Sequence, residues 1–334
     1  MGTVYITHED AYIGKTDERL TVKADRKKLL DIPLIKTEGI VVLGRATISP
    51  AAMDELLARQ IPLSFVTGTG RYRGRVEPEL SKNIFVRRAQ WSVLPNSARA
   101  VHCVQGFVRG KLKNYRQLLL RRQREDSQLS LAGAIAQLEK VIPALGAVES
   151  IDSLRGLEGA GSAAYFGVFD ALIRGEAFTF RKRVRRPPTD PVNALLSLGY
   201  ALLRHDVQSA VNIVGFDPYL GYLHTEQYGR PSLALDLMEE FRPLVVDAMV
   251  LSTLNNQRLT PADFESEPLS RAVSLTKEGL KTFLRLYEKK KQDTFKHPVM
   301  KRKCSYQQAF EWQARLLAKY LMDETEQYPP LILK

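Results

Sequence analysis

The sequence predicts an α+β protein in which a small β-rich N-terminal domain precedes a larger all-α C-terminal domain. Three observations carry this expectation. Short apolar stretches with period-two alternation fill the chain from Thr3 to about Val76. Beyond Trp91 the pattern changes to long helical stretches with scattered Gly and Pro. Glu77, Pro78 and Glu79 mark a break between the two regimes. At 334 residues the chain exceeds the usual size of a single core, so the domains are placed at 1–85 and 92–330.

In the N-terminal part the strand candidates are VYI, ERLTVK, IPLIK, GIVVLG and IPLSFV, bounded by Asp, Glu and Gly turn residues. One helix interrupts them: Ser49 is placed to cap it, Pro50 suits its first position, and it runs to Arg59 with Met53, Leu56 and Leu57 toward the sheet. GTGRYRG, from Gly68 to Gly74, lacks a following helix and reads as a hairpin rather than a dinucleotide loop. The helices expected beyond it are Ala98 to Arg124, Ser130 to Ile142, Ile151 to Arg174, Pro191 to Ile213, Ser232 to Asn256 interrupted at Pro243, Thr276 to Lys291, and Ser305 to Asp323. The closing YPPLILK reads as a tail or as an apolar peg for a partner.

Lys and Arg number 49 against 37 Asp and Glu, a net charge of +12 that favours a polyanionic partner such as nucleic acid or an acidic membrane. Cys103 and Cys304 stand alone and far apart, which argues against a disulfide framework and against a cysteine zinc site, and fits a reducing cytoplasm. No run of about 18 apolar residues is present to span a bilayer, and MGTVYITHED has neither the pattern of a signal peptide nor that of a myristoylation site.

Three segments hold residues with chemical potential. In LRGLEGAGSAAYF, Gly156, Gly159 and Gly161 each cost about 1 kcal/mol relative to Ala inside a helix, a loss that close approach of a backbone or ligand would offset. Glu158, Ser162 and Tyr165 share one face of that helix; the ordinary reading is a packing helix with a surface carboxylate. RKRVRRPPTDPVNALLSLGYALLRHD places five cations, Arg181, Lys182, Arg183, Arg185 and Arg186, ahead of a helix capped by Asp190, and matching phosphates would relieve their repulsion. That helix carries a polar stripe of Asn193, Ser197, Tyr200 and Arg204.

In GFDPYLGYLHTEQYGRPSLALDLMEEFRP, His224 follows a turn-forming stretch, and Asp236 and Glu239 lie one turn apart on the next helix. A lone histidine is more often structural than a ligand. A histidine together with carboxylates from separate helices makes an open site of mixed nitrogen and oxygen donors, for which Mn²⁺ or Mg²⁺ is the implied metal class. Such an ion suits phosphodiester chemistry, which the basic surface also suits.

GLEG with the following YF, the block FTFRKRVRRPPTDPVNALLSLGYALL, and GFDPYLGYLH with GRPSLALDLMEEFRP together resemble the CRISPR-associated integrase family that captures spacers in antiviral defence. The likeness is concentrated between Gly156 and Pro243 and extends, more weakly, over nearly the whole chain through GRYRGRVEPELSKNIFVRRAQ and the later basic helices. The resemblance implies a metal-dependent DNA integrase and endonuclease with catalytic metal ligands Glu158, His224 and Glu239. Many members carry Asp at the last position, so Asp236 stands as a second candidate there.

The resemblance further implies attack by a 3′-hydroxyl of captured DNA on a repeat-end phosphodiester, with water in its place giving a nuclease. Phosphate contacts are assigned to Arg181, Arg183 and Arg186, with Tyr165 and Asn193 as further DNA-binding residues. The N-terminal domain would form a homodimer, and two such dimers would flank a central dimer of a small ferredoxin-like adaptation subunit in a heterohexamer on double-stranded DNA, in the cytoplasm and away from any membrane. Two basic regions could extend the DNA track: Arg109, Lys111, Lys113, Arg116, Arg121, Arg122 and Arg124 on the first long helix, and Lys289 to Lys291 with Lys296 and Lys301 to Lys303. The competing readings are a stand-alone Mn²⁺-dependent nuclease and a non-catalytic architectural DNA binder.

Overall fold

The computed structural model describes residues 2–25, 27–67, 72–76 and 83–333. The chain divides into two compact units, Met1–Leu80 and Ser81–Lys334. The break expected at Glu77 to Glu79 and the tip of the hairpin at Gly68 to Gly70 lie outside the described residues.

The first unit holds two four-stranded sheets. One has the order β1 (Thr3–Ile6), β5 (Gly39–Leu43), β7 (Leu63–Val66), β8 (Tyr72–Val76). Its first three strands run parallel, and β7 pairs antiparallel with β8, so both arms of the expected hairpin are present. Strand β5, GIVVL, is buried along its whole length, as a strand flanked by parallel neighbours tends to be. The other sheet has the order β4 (Lys27–Pro33), β3 (Arg19–Ala24), β2 (Ala11–Thr16), β6 (Ala46–Ile48).

Helix α1 (Pro50–Ala58) starts where Ser49 Oγ accepts the Ala52 N–H at 3.2 Å, and Ala52 and Leu56 join Ile13, Leu20, Val22, Ile40 and Val42 in the core. IPLIK is not the strand its pattern predicts: β4 ends at Pro33 and Leu34–Lys36 turn as a 3₁₀ helix, closed by Thr37 Oγ1 donating to Pro33 O.

The second unit is mostly helical. Its helices are α2 (Ile84–Trp91), α3 (Ala98–Glu125), α4 (Ala132–Ala144), α5 (Ile151–Gly167), α6 (Pro191–Val214), α7 (Ser232–Met238), α8 (Ala248–Asn255), α9 (Lys277–Gln292) and α10 (Tyr306–Leu321). Side-chain caps fix most starts: Ser97 for α3, Ser150 for α5, Asp190 for α6, Thr276 for α9, and a Ser305–Gln308 capping box for α10.

The unit departs from all-helical in two short antiparallel ribbons, β9 (Phe264–Ser266) with β10 (Val273–Leu275) and β11 (Thr294–Lys296) with β12 (Lys303–Ser305). Three-residue strands are too short to leave a readable alternation. Helix α2 also escapes the sequence pattern, because Ile84, Phe85 and Trp91 are exposed and blur its apolar face.

The helix expected from Ser232 to Asn256 is broken. After α7 comes a turn, then a wide-turn π-helical segment, Arg242–Asp247, then α8. Pro243 has no N–H to give and its ring blocks the preceding carbonyl, so the regular ladder cannot pass through it. The final segment is neither tail nor free peg: Tyr328 and Leu331 are buried in the helical unit. Both cysteines are buried and unbridged. No helix among the described residues is long and apolar enough to cross a membrane.

Candidate metal centre

Helix α3 runs through the middle of the helical unit, and most of its residues from Ala100 to Leu119 are buried. Helix α5 lies close against it because of Gly161, where a Cβ would meet Leu112 Cδ2 at 2.5 Å. Gly156 and Gly159 have nothing within 4 Å of such a Cβ, so only one of the three glycines answers to a close approach within this unit. The contact puts Lys111, the neighbour of Leu112, beside Glu158: Lys111 Nζ bonds Glu158 Oε1, which also accepts from Ser162 Oγ at 2.8 Å.

Glu239 follows directly on α7 and meets the same ammonium from the other side, with Oε2 2.7 Å from Lys111 Nζ. That oxygen lies within ion-pair range yet accepts no well-aligned hydrogen bond among the described residues. Its other oxygen faces Arg242 Nε at 3.0 Å. Burial alone would raise the Glu239 carboxyl, but the charges of Arg242, Lys111 and His224 outweigh it and hold the group at about 2.

His224 reaches the cluster from the loop between α6 and α7. Arg155 Nε, one turn before Glu158 on α5, donates to Leu223 O at 2.6 Å and ties that loop to α5. Gln90, fully buried on α2, clasps the loop's other end by donating to Asp217 O and Leu220 O and accepting from Asp217 N, each at 2.8 Å. The imidazole presents Nε2 to Glu239 Oε1 at 3.8 Å and Nδ1 to Asp236 Oδ1 at 2.6 Å.

Asp236, the second candidate for the third ligand, is therefore committed elsewhere. It is wholly buried, and its carboxylate accepts the backbone N–H groups of Tyr222 at 2.6 Å, Leu223 at 2.9 Å and His224 at 2.9 Å besides the ring. Such a cradle forms only because residue 221 is glycine; a Cβ there would stand 2.8 Å from Asp236 Oδ2. With Nδ1 taken up by the Asp236 carboxylate, the ring is held so that Nε2 faces Glu239.

Two expected DNA contacts are also corrected. Tyr165 is fully buried and stacks on Tyr115 with ring centroids 3.8 Å apart, so it cannot meet a strand from this position. Asn193 is buried and holds the basic loop from behind: Oδ1 accepts from Arg183 Nη1 at 2.7 Å and Val184 N at 2.9 Å, and Nδ2 donates to Lys182 O at 2.8 Å. Arg183 itself is half-buried, bonded also to Ser197 Oγ at 3.0 Å and lying over the Tyr200 ring. Arg181 and Arg186 are exposed.

The later basic cluster loses Lys291, which is fully buried and paired with Asp206 and Glu288. Lys111, read from sequence as part of the DNA track, is 7% exposed and belongs to the acidic cluster. Arg242, inside the block GRPSLALDLMEEFRP but given no role there, and Asp247, beyond it, extend the network: Arg242 lies 4.5 Å over the Tyr200 ring, and Tyr200 Oη donates to Asp247 Oδ1 at 2.5 Å. Burial raises the Asp247 carboxyl to about 6 against the hydrogen bond from Tyr200 and the charge of Arg242.

Among the described residues no three His, Cys, Asp or Glu side chains stand close enough together to enclose an ion as placed; the cation that the two carboxylates share is the Lys111 ammonium. The donor set nonetheless fits a hard divalent ion. It offers two carboxylates from different elements already gathered about one positive charge, a buried Glu239 oxygen without an aligned donor, and an imidazole whose Nε2 is turned toward Glu239.

Residues 4–289 match the family described as CRISPR associated protein Cas1. Over 337 residues the chain is 38% identical to CRISPR-associated endonuclease Cas1 3 of Thermus thermophilus, spanning all of this chain and 98% of that relative. It is also 38% identical to CRISPR-associated endonuclease Cas1 2 of Rhodospirillum rubrum, spanning all of this chain and 99% of that one. Among solved structures, a Cas1 protein from Thermotoga maritima superposes with a TM-score of 0.80 at 25% identity, over 96% of this chain and 97% of the other. A chain of a Cas6-RT-Cas1–Cas2 complex superposes with a TM-score of 0.82 at 27% identity, over all of this chain and 36% of that longer one. A casposase bound to integration product shares the fold, with a TM-score of 0.84 at 21% identity over 98% of this chain and 93% of the casposase.

Proposed function

Because this chain belongs to the Cas1 family of CRISPR-associated proteins, we propose that it is a divalent-cation-dependent DNA integrase and endonuclease that installs new spacers in CRISPR arrays. The observation that carries this reading is the shared cation: Glu158 and Glu239, distant in sequence, both face one ammonium, and His224 Nε2 is turned toward Glu239. Glu158, His224 and Glu239 would hold Mg²⁺ or Mn²⁺. When bound, the ion supplies charge to a phosphoryl oxygen and to the attacking or leaving oxygen of a phosphodiester.

The remaining work belongs to the protein's own side chains. Asp236 fixes which imidazole nitrogen faces the cluster and stops the ring from turning. Arg242 keeps Glu239 ionised in a buried setting, so the carboxylate stays available as a donor at neutral pH. Exposed Arg181 and Arg186 bind backbone phosphates and set the strand's register, while Asn193 and Arg183 hold their loop in shape. A 3′-hydroxyl brought by captured DNA is then the nucleophile, so the protein has to position strands and neutralise charge more than generate a reactive group. Water admitted in place of that hydroxyl gives hydrolysis.

We further propose that the chain works as a homodimer with a Cas2-type partner, the small ferredoxin-like subunit that the sequence resemblance implies; the Cas1–Cas2 composition of a structurally similar complex supports the Cas2-type partner. The test is a strand-transfer assay on supercoiled repeat DNA with the partner subunit, over a range of Mg²⁺ and Mn²⁺ concentrations. Wild type is expected to join prespacer to repeat only with metal, and Glu158→Gln to lose joining while still binding DNA. Full joining by Glu158→Gln, or joining in the presence of chelator, would refute the reading.

A further inference from the structure

Lys111 lies in none of the motifs that mark the site, yet it is the group that the two acidic side chains share. Its stem runs past the Tyr115 ring, with Nζ 5.6 Å from the ring centroid, and ends between Glu158 and Glu239. The side chain is 7% exposed, Glu239 5% and Glu158 26%, so the three meet at the inner edge of the cluster rather than at its mouth. Two carboxylates from different elements would repel at that depth, where unpaired charge is strongly unfavourable. Arg242 adds its charge on the other side of Glu239, at Oε1.

Resting on the metal-centre reading above, we propose that Lys111 is the resident counter-ion of the metal-free site: it occupies the place between Glu158 and Glu239, gives way when a divalent cation binds, and so sets the affinity for that cation. A metal ion held by Glu158 and Glu239 would draw on the same two carboxylates that the ammonium contacts. Two positive charges between the same pair of carboxylates repel, so occupation is exclusive or nearly so. The lysine stem is flexible and its charge compact, which lets the ammonium withdraw without backbone movement. Its α-carbon cannot follow, because α3 is held against α5 at Gly161 and, one residue before Lys111, against Glu240 at Gly110. The outcome is a centre that is neutralised and ordered without metal and that binds metal less tightly than its donor set would allow.

The experiment measures Mn²⁺ binding to the full-length protein without DNA, by titration calorimetry and by the electron paramagnetic resonance signal of free Mn²⁺, together with thermal melting in chelator and in Mn²⁺. Wild type, Lys111→Met and Glu158→Gln are compared. Removing the competing charge is expected to tighten Mn²⁺ binding in Lys111→Met by about tenfold or more. The variant should also melt lower than wild type in chelator and gain more from Mn²⁺. Should Lys111→Met not fold without metal, Lys111→Gln, which keeps a donor for Glu158 but no charge, is expected to shift affinity in the same direction. If wild type binds Mn²⁺ in a Glu158-dependent way and neither lysine variant binds it more tightly, the counter-ion role is overturned while the metal centre stands. If no protein binds Mn²⁺ in a Glu158-dependent way, the metal centre itself falls, and the role of Lys111 with it.

Discussion

His224 Nδ1 lies 2.6 Å from Asp236 Oδ1, and that bond selects the ring nitrogen that faces Glu239. The same carboxylate gathers three backbone N–H groups of the His224 loop, so one buried side chain shapes the loop and aims its ligand. Asp236→Asn replaces one acceptor oxygen with a donor and must leave N–H groups unmatched, whichever way the amide turns. We expect it to weaken divalent-cation binding and slow strand transfer by about 10- to 100-fold, the usual range for losing a partner of a ligating histidine. Wild-type Mn²⁺ affinity and rate in Asp236→Asn would show that the ring is held by something else.

The glycines of α5 give a paired prediction. Gly161→Ala places a methyl 2.5 Å from Leu112 Cδ2 and should cost about 1–3 kcal/mol through overpacking. Gly156→Ala and Gly159→Ala meet open space and should stabilise by up to about 1 kcal/mol through helix propensity. Denaturant unfolding of the three variants checks both signs; a stabilised Gly161→Ala would mean that α3 and α5 pack more loosely than described.

The site's components differ in how far sequence could reach them. Glu158 and His224 stand in distinctive motifs and Glu239 follows a clear helix, so local pattern finds them. Lys111 does not stand out, because a helix bearing eight Lys and Arg residues looks like a DNA-facing surface until the packing at Gly161 turns one of them inward. Helical spacing puts Tyr165 on one face with Glu158, but polarity along a helix does not reveal that a second tyrosine, from α3, covers it. The strands of the first unit were legible where alternation or a buried run persisted, as in GIVVL, and not at IPLIK, where Pro33 ends the ladder. The place of the chain's ending is not legible in sequence because YPPLILK has no period, and its burial rests on partners more than 200 residues earlier, such as Asn114.

That ending braces the segment that carries Glu239 in the candidate metal centre. Tyr328 Oη donates to Glu240 Oε1, Leu331 N donates to Glu240 Oε2 at 2.6 Å, and Asn114 Nδ2 donates to Leu331 O at 2.9 Å. Glu240 is the neighbour of Glu239, so loss of the brace should disturb the ligand as well as the fold. Deleting residues 328–334 uncovers the sites of Tyr328 and Leu331, each worth about 1.5–3 kcal/mol of burial, and leaves Glu240 without two donors. Unfolding at a markedly lower denaturant concentration is expected, with Tyr328→Phe losing about 1–3 kcal/mol. A truncated chain as stable as the parent would contradict this account.

Asp247 makes stability depend on pH. Its carboxyl is raised from 3.8 to about 6, mainly by burial, so the folded state keeps a proton that the unfolded state has already released. With fewer protons on the unfolded chain, the Asp247 contribution to stability falls as pH rises from about 4 to about 6, then levels off. Asp247→Asn has no proton to lose there, so its stability relative to wild type should rise across that window and stay constant above it. Parallel pH profiles for the two proteins would exclude Asp247 as the source.

The basic loop before α6 separates binding from support. Arg181 and Arg186 are exposed, whereas Arg183 is tied to Asn193, Val184 and Ser197. If the exposed pair contacts phosphates, Arg181→Ala and Arg186→Ala should each weaken DNA binding evenly across sequences and reduce the salt dependence by about one unit of slope, leaving melting temperature unchanged. Arg183→Ala should instead lower the melting temperature, since it strips a donor from buried Asn193 Oδ1 and unfixes the loop. Fluorescence anisotropy over a salt series, paired with thermal melting, distinguishes the two. An unaltered salt slope in both Arg181→Ala and Arg186→Ala would move the DNA path to another face.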